Sequence, residues 1–149
     1  MRKQYLLAAV VVFLASAGPV FAQPKMSVWS GVFTDEQAAH GGTLYQGACA
    51  MCHGPSLEGN GEAPPLVGRF IPDWEGTNLA DLSAKIHDTM PLFAPGSLSA
   101  ENTGAILAFI LKSNGFPAGA KALPVDGDEL KSISFDAIKP VAGKTTRSH

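Results

Sequence analysis

Apolar positions along the chain recur at helical spacing, and no segment of period two stands out. The first helical signal starts at Thr34, a capping residue with Gln37 three positions on, where the partner of a capping box belongs. Asp35 and Glu36 suit the positive end of a helix dipole. The pattern predicts a helix to about Cys49, with Leu44, Tyr45 and Ala48 on its buried stripe. Thr77 or Asn78 caps a second helix that turns Leu79, Leu82 and Ile86 inward. Met90-Pro91 ends it, because proline pushes the residue before it out of helical geometry. Ser99 caps a third, which carries Thr103, Ile106, Leu107 and Ile110 on one face with Phe109 beside them. Asn114-Gly115 supplies a left-handed stop and Pro117 keeps the helix stopped. The expected fold class is all-α, with three main helices joined by long loops.

Those loops, residues 54–76 and 92–98, are punctuated by Gly and Pro, in a chain with eleven prolines and sixteen glycines. Long loops count against a packed domain unless something other than side chains fills its core. Residues 23–33 hold Pro24, Gly31 and two aromatics and read as an ordered lead-in. Near the other end, Leu130, Ile133 and Phe135 are placed to pack as an extended tail, and past Pro140 the composition is that of a flexible segment. At 149 residues the chain has room for one domain. The division read from sequence is 1–22 for targeting, 23–33 for the lead-in, 34–119 for the domain and 120–149 for a C-terminal extension.

The targeting assignment rests on Arg2 and Lys3, an apolar run over residues 5–17, and Val20-Phe21-Ala22 as a signal-peptidase site. Ala15-Ser16-Ala17 is a second possible cut, and an uncleaved anchor is the competing reading. The run is short for a membrane span, which needs about 20 apolar residues. No cysteine stands near the cut, so a lipid anchor is excluded. Cleavage after Ala22 leaves nine basic and thirteen acidic residues, a net charge near −4. Without a basic run or an aromatic-basic stripe, nucleic acid is not expected as a partner. An exported, periplasmic protein with no stable membrane insertion is the expectation.

Only two cysteines are present, in Cys49-Ala50-Met51-Cys52-His53. Two cysteines separated by two residues, with histidine next, form the attachment pattern for one c-type haem. About one helical turn apart, both sulfurs face one porphyrin edge, and His53 falls where its ring can bind the iron. A thioredoxin-like dithiol would need a βαβ context, a zinc site would need more ligands, and a disulfide over this spacing would be strained.

For the other side of the iron Met90 is the best candidate: a soft thioether 37 residues beyond His53, with Pro91 fixing a turn behind it. A lone methionine is more often core filling. Met51 lies inside the attachment loop and Met26 has no constraint to aim it. His87 is the rival ligand, although three positions earlier on a helix it reads as a surface group.

With these residues in place, the segment 34–117 resembles a class I cytochrome c, through the run from Gly41 to His53, Ala63-Pro64-Pro65-Leu66, Thr89-Met90-Pro91 and Leu107-Ala108-Phe109-Ile110. The stretch Ile110-Leu111-Lys112-Ser113-Asn114-Gly115-Phe116-Pro117-Ala118-Gly119 is similar to cytochrome c subunits and domains that accompany bacterial quinoprotein dehydrogenases. The resemblance implies that Gly41 and Tyr45 mark the crossing of the first and last helices, with Phe109 as partner. The family often has tyrosine at that last position. It implies that the Pro64 carbonyl accepts from the His53 Nδ1–H, that Leu66 packs on the haem face, and that Trp74 donates to a haem propionate. Ordinary core packing is the equal alternative for Trp74. The expected function is one-electron transfer by a carrier rather than an enzyme, from a dehydrogenase, by resemblance a pyrroloquinoline-quinone enzyme, to another cytochrome or an oxidase. The alternatives are a haem subunit of a larger dehydrogenase complex, or a haem enzyme or gas-binding protein with an open distal site.

Overall fold

A computed structural model describes residues 26–139. The segment read as a signal peptide, the first residues of the lead-in and the tail from Pro140 onward lie outside the described residues.

Three main helices carry the architecture: α1 (Asp35–Ala48), α4 (Leu79–Thr89) and α5 (Ala100–Ser113), and each opens on the cap its sequence carries. The Thr34 hydroxyl accepts from the Gln37 N–H at 3.1 Å, Asn78 Oδ1 from Ala80 and Asp81, and Ser99 Oγ from Asn102 at 3.1 Å. Gln37 does not close a capping box. Its side chain takes both backbone groups of Leu123 instead, donating to the carbonyl at 3.2 Å and accepting from the N–H at 2.7 Å. Two bonds to a distant segment replace one local bond, and they tie the C-terminal part of the chain to α1. At the end of α4, Met90 is extended (φ −124°, ψ 151°), as a residue before proline must be.

Short elements fill parts of the expected loops. These are α2 (Ala50–His53), α3 (Phe70–Trp74) and α6 (Gly127–Lys131), with a 3₁₀ turn at Val28–Ser30. Pro72 is compatible with α3 because it sits in the first turn, where a backbone N–H has no intrahelical partner. Two-residue strands β1 (Met26–Ser27) and β2 (Ile133–Ser134) pair in parallel, with Met26 opposite Ile133. Strands this short carry no period-two signal.

The centre of the fold is the crossing of α1 and α5. A Cβ built on Gly41 would lie 1.8 Å from the Ala105 carbonyl oxygen, so the two backbones touch where no side chain fits. One turn on, Tyr45 and Phe109 pack with ring centroids 5.2 Å apart. Ile106, Leu107, Ile110 and Leu111 of α5 are buried around this contact.

Both ends of the described chain join that core. Val28 and Phe33 are buried, as are Leu130, Ile133 and Phe135. Phe135 stacks edge-on against Phe70 and Phe116, and Phe116 meets Trp29 at 4.8 Å. Trp29 Nε1 donates to the Asp136 carbonyl at 2.8 Å, while Phe135 exchanges backbone bonds with Gly76 and Thr77. Among the described residues no helix is long and apolar enough to cross a membrane.

Two substitutions test this packing. Gly41→Ala forces the helices apart and is expected to cost about 1–3 kcal/mol or more. Phe135→Ala, far from the cysteine motif in sequence, is expected to cost about 3–5 kcal/mol because it empties a shared aromatic contact. Chemical denaturation of the two variants against the parent measures both.

Candidate functional site

Cys49 sits at the joint between α1 and α2, with φ −119° and ψ −34°. Its N–H closes the last turn of α1 on the Tyr45 carbonyl, and its carbonyl opens the next turn by accepting from Cys52 and His53. This places Cys49 and Cys52 one turn apart on continuous helical backbone. Both are free thiols, Cys49 half-buried and Cys52 exposed. Burial pushes the Cys49 thiol up, and the neighbouring Cys52 adds to the effect.

His53 is almost fully buried, and its Nδ1 lies 2.9 Å from the Pro64 carbonyl oxygen. A carbonyl only accepts, so Nδ1 carries the proton of this contact, and in the neutral ring Nε2 is then the nitrogen with the lone pair. The loop that presents Pro64 is closed on the motif itself. Gly59 donates to the His53 carbonyl at 2.7 Å, and Leu66 donates to the Leu57 carbonyl at 2.8 Å. Gly59 has φ +75°, and a Cβ there would lie 2.6 Å from the Ala63 carbonyl oxygen, so this closure needs glycine. Leu57 holds a left-handed φ of 63° while almost fully buried.

From the other side, α1 grips the residues just after His53. The buried Tyr45 hydroxyl donates to the Gly54 carbonyl at 2.7 Å, and Gln46 Nε2 donates to the Pro55 carbonyl at 3.0 Å. The sequence placed Tyr45 at the helix crossing. It missed this bond, although a tyrosine on a buried stripe always needs a partner for its hydroxyl. Burial first, then charge on Cys49 and Glu58, pushes that hydroxyl from 10.0 up to about 12. A thioether at Cys49 carries no charge, so burial and then Glu58 remain the causes when the cysteine is alkylated.

The remaining candidates differ in how firmly the chain holds them. Leu66 is half-buried against the core. Trp74 is half-buried too, its ring 6.2 Å from that of Phe70. Among the described residues its Nε1 has no hydrogen-bond partner, in contrast to Trp29 Nε1 on the Asp136 carbonyl. Met90 is half-buried just beyond α4. Met51 is 77 % exposed, and the His87 ring pairs with Asp88 at 2.7 Å on the surface of α4.

The donor set fits a covalently attached haem. Two unpaired thiols lie one turn apart, an imidazole is fixed through one nitrogen with the other left as an acceptor, and half-buried apolar groups (Leu66, Val67, Ile71 and Trp74) pack on the core nearby in sequence. Among the described residues no group of three or more His, Cys, Asp or Glu is placed to hold a bare metal ion.

Comparison with known proteins bears on the same residues. Residues 24–110, more than half of the chain, match the family described as cytochrome c oxidase, cbb3-type, subunit III. No curated protein gives a significant match. Among solved structures the chain is similar to the sulfane dehydrogenase SoxCD from Paracoccus pantotrophus, with 23% identity and a TM-score of 0.52 over 88% of this chain and 75% of that one. At that identity the likeness is one of fold.

Tyr45 supplies a test of the grip on the motif. Its folded value lies above its unfolded one, so the stability it adds is present below pH 10.0 and is lost as pH rises towards about 12. Tyr45→Phe is expected to cost about 0.5–1.5 kcal/mol at neutral pH and to flatten the alkaline fall in stability. Thermal denaturation followed across the alkaline range reads both effects.

Proposed function

This chain belongs to the family described as cytochrome c oxidase, cbb3-type, subunit III, and from that premise we propose an exported carrier of single electrons with its haem iron held between His53 and Met90. Proteins of the cytochrome c kind transfer electrons, and the haem c of this one is attached through Cys49 and Cys52. When bound, that haem supplies a one-electron couple whose potential follows its axial ligands, hydrogen bonds and burial.

One observation carries the reading: the 2.9 Å contact between His53 Nδ1 and the Pro64 carbonyl. It fixes the tautomer, orients the ring and raises the basicity of Nε2, which is what a buried axial histidine requires. Among the described residues the buried ring has no other hydrogen bond to explain its place. Met90 is favoured as the second ligand by its half-buried position and by the extended backbone that turns it out of α4. The rivals fare worse: Met51 and Met26 are exposed, and the His87 side chain stands 43% exposed on the surface of α4. Thioether and imidazole together leave no open coordination position, which suits electron exchange and not turnover of a substrate.

The donor we assign is a periplasmic dehydrogenase, on the resemblance of residues 110–119 to cytochromes that serve quinoprotein enzymes. The acceptor is another cytochrome or an oxidase. Encounters of this kind bury little surface and are short-lived.

The Met90 assignment is tested in the purified holoprotein. Met90→Ala is expected to remove the weak near-infrared absorption of an iron–thioether bond, lower the reduction potential and let carbon monoxide bind. An unchanged potential removes Met90 from the ligand set. Ready carbon monoxide binding by the unaltered protein at neutral pH ends the carrier reading in favour of an open site. Reduction by a quinoprotein dehydrogenase, followed at the haem absorption, tests the assigned donor.

A further inference from the structure

Helix α5 ends on a side chain that reaches back to the loop that follows His53. Asn114, at the end of α5, donates from Nδ2 to the Leu66 carbonyl at 2.8 Å and to the Ile110 carbonyl at 2.9 Å. Two carbonyl acceptors fix the orientation of the amide, because the flipped form would set oxygen against oxygen. The other end of the amide, Oδ1, is buried and has no hydrogen-bond partner among the described residues. A buried acceptor in that state is unfavourable, so the donating end holds the side chain where it is.

Leu66 is the junction of the loop. Its N–H closes the loop on Leu57, and its carbonyl is held by Asn114. Pro64 and Pro65 stand immediately before it, and each proline ring fixes its own φ. The run from Pro64 to Leu66 is therefore stiff, and the Pro64 carbonyl moves with Leu66. The other side-chain ties on this loop come from the N-terminal side: Tyr45 to Gly54, Gln46 to Pro55, and Asn60 to Met51. Among the described hydrogen bonds, that of Asn114 is the tie between the loop and α5.

We propose that Asn114 is a positioning residue for His53: by holding Leu66 it sets the Pro64 carbonyl against the ring Nδ1–H and so strengthens donation from Nε2. This rests on the reading of His53 as an axial ligand. Releasing Leu66 lengthens or misaligns the Nδ1–H bond, makes the ring a poorer donor and destabilises the oxidised iron relative to the reduced.

The experiment compares Asn114→Ala with Gln37→Ala in the full haem-loaded protein. Gln37 is the control because it also ties two distant segments, through Leu123, and among the described residues makes no hydrogen bond to residues 54–66. Three quantities are read: reduction potential, solvent exchange of the His53 Nδ1 proton by NMR, and thermal stability. Asn114→Ala is expected to raise the potential and speed the exchange, whereas Gln37→Ala lowers stability alone. Should Asn114→Ala not give folded holoprotein, Asn114→Ser, too short to reach both carbonyls, is read in the same way. A loss of stability with potential and proton exchange unchanged overturns the proposal. A parent protein whose His53 ring protons show no paramagnetic shift removes His53 from the iron instead, and that result is visible before any variant is made.

Discussion

Backbone contact between α1 and α5 at Gly41 is the constraint on which the other features depend. A side chain at that point would collide with the Ala105 carbonyl, so the helices either meet there or do not pack at all. Once they meet, the end of α1 is aimed. Tyr45, one turn on, lies against Phe109 and hands its hydroxyl to the Gly54 carbonyl. Cys49 then starts the short helix that carries Cys52 and His53. The far end of α5 is aimed by the same crossing, and it brings Asn114 to Leu66. A single close approach thus positions supports on two sides of one histidine.

The two sides of the proposed iron site are built by different means. The histidine side is a mesh of hydrogen bonds, in which Pro64, Gly59, Leu66 and Gly54 all use backbone groups. Backbone groups already fixed by the fold need no further side-chain ordering to make these bonds. Met90 has no comparable mesh. It follows a helix, precedes a proline and is half-buried. A soft, flexible thioether needs aim more than it needs a network.

Residues 26–33 and 115–139 join the same core. β1 pairs with β2, Gly119 donates to the Phe33 carbonyl at 2.7 Å, and Phe135 fills the space between Phe70 and Phe116. A short domain with long loops has few side chains to bury. Returning the chain to α3 sets Phe135 edge-on against Phe70 and adds aromatic area there.

Local chemistry was legible in the sequence. Caps at Thr34, Asn78 and Ser99, the stop at Asn114-Gly115 and the break at Met90-Pro91 depend on residues a few positions apart, and each is where its pattern placed it. The cysteine motif was legible for the same reason, since its chemistry lies within five consecutive residues. A partner for His53 was implied only by resemblance to a family, and the Pro64 carbonyl lies 2.9 Å from its Nδ1. Other features depend on groups far apart in the chain and left no local trace. Gln37 abandons its capping box for Leu123, Tyr45 finds the Gly54 carbonyl, a two-residue strand pairs across more than a hundred positions, and Asn114, readable only as a helix stop, reaches Leu66. Spacing along a chain reports neighbours within a turn or two of helix. Which distant carbonyl meets which donor is decided only when α1 and α5 cross.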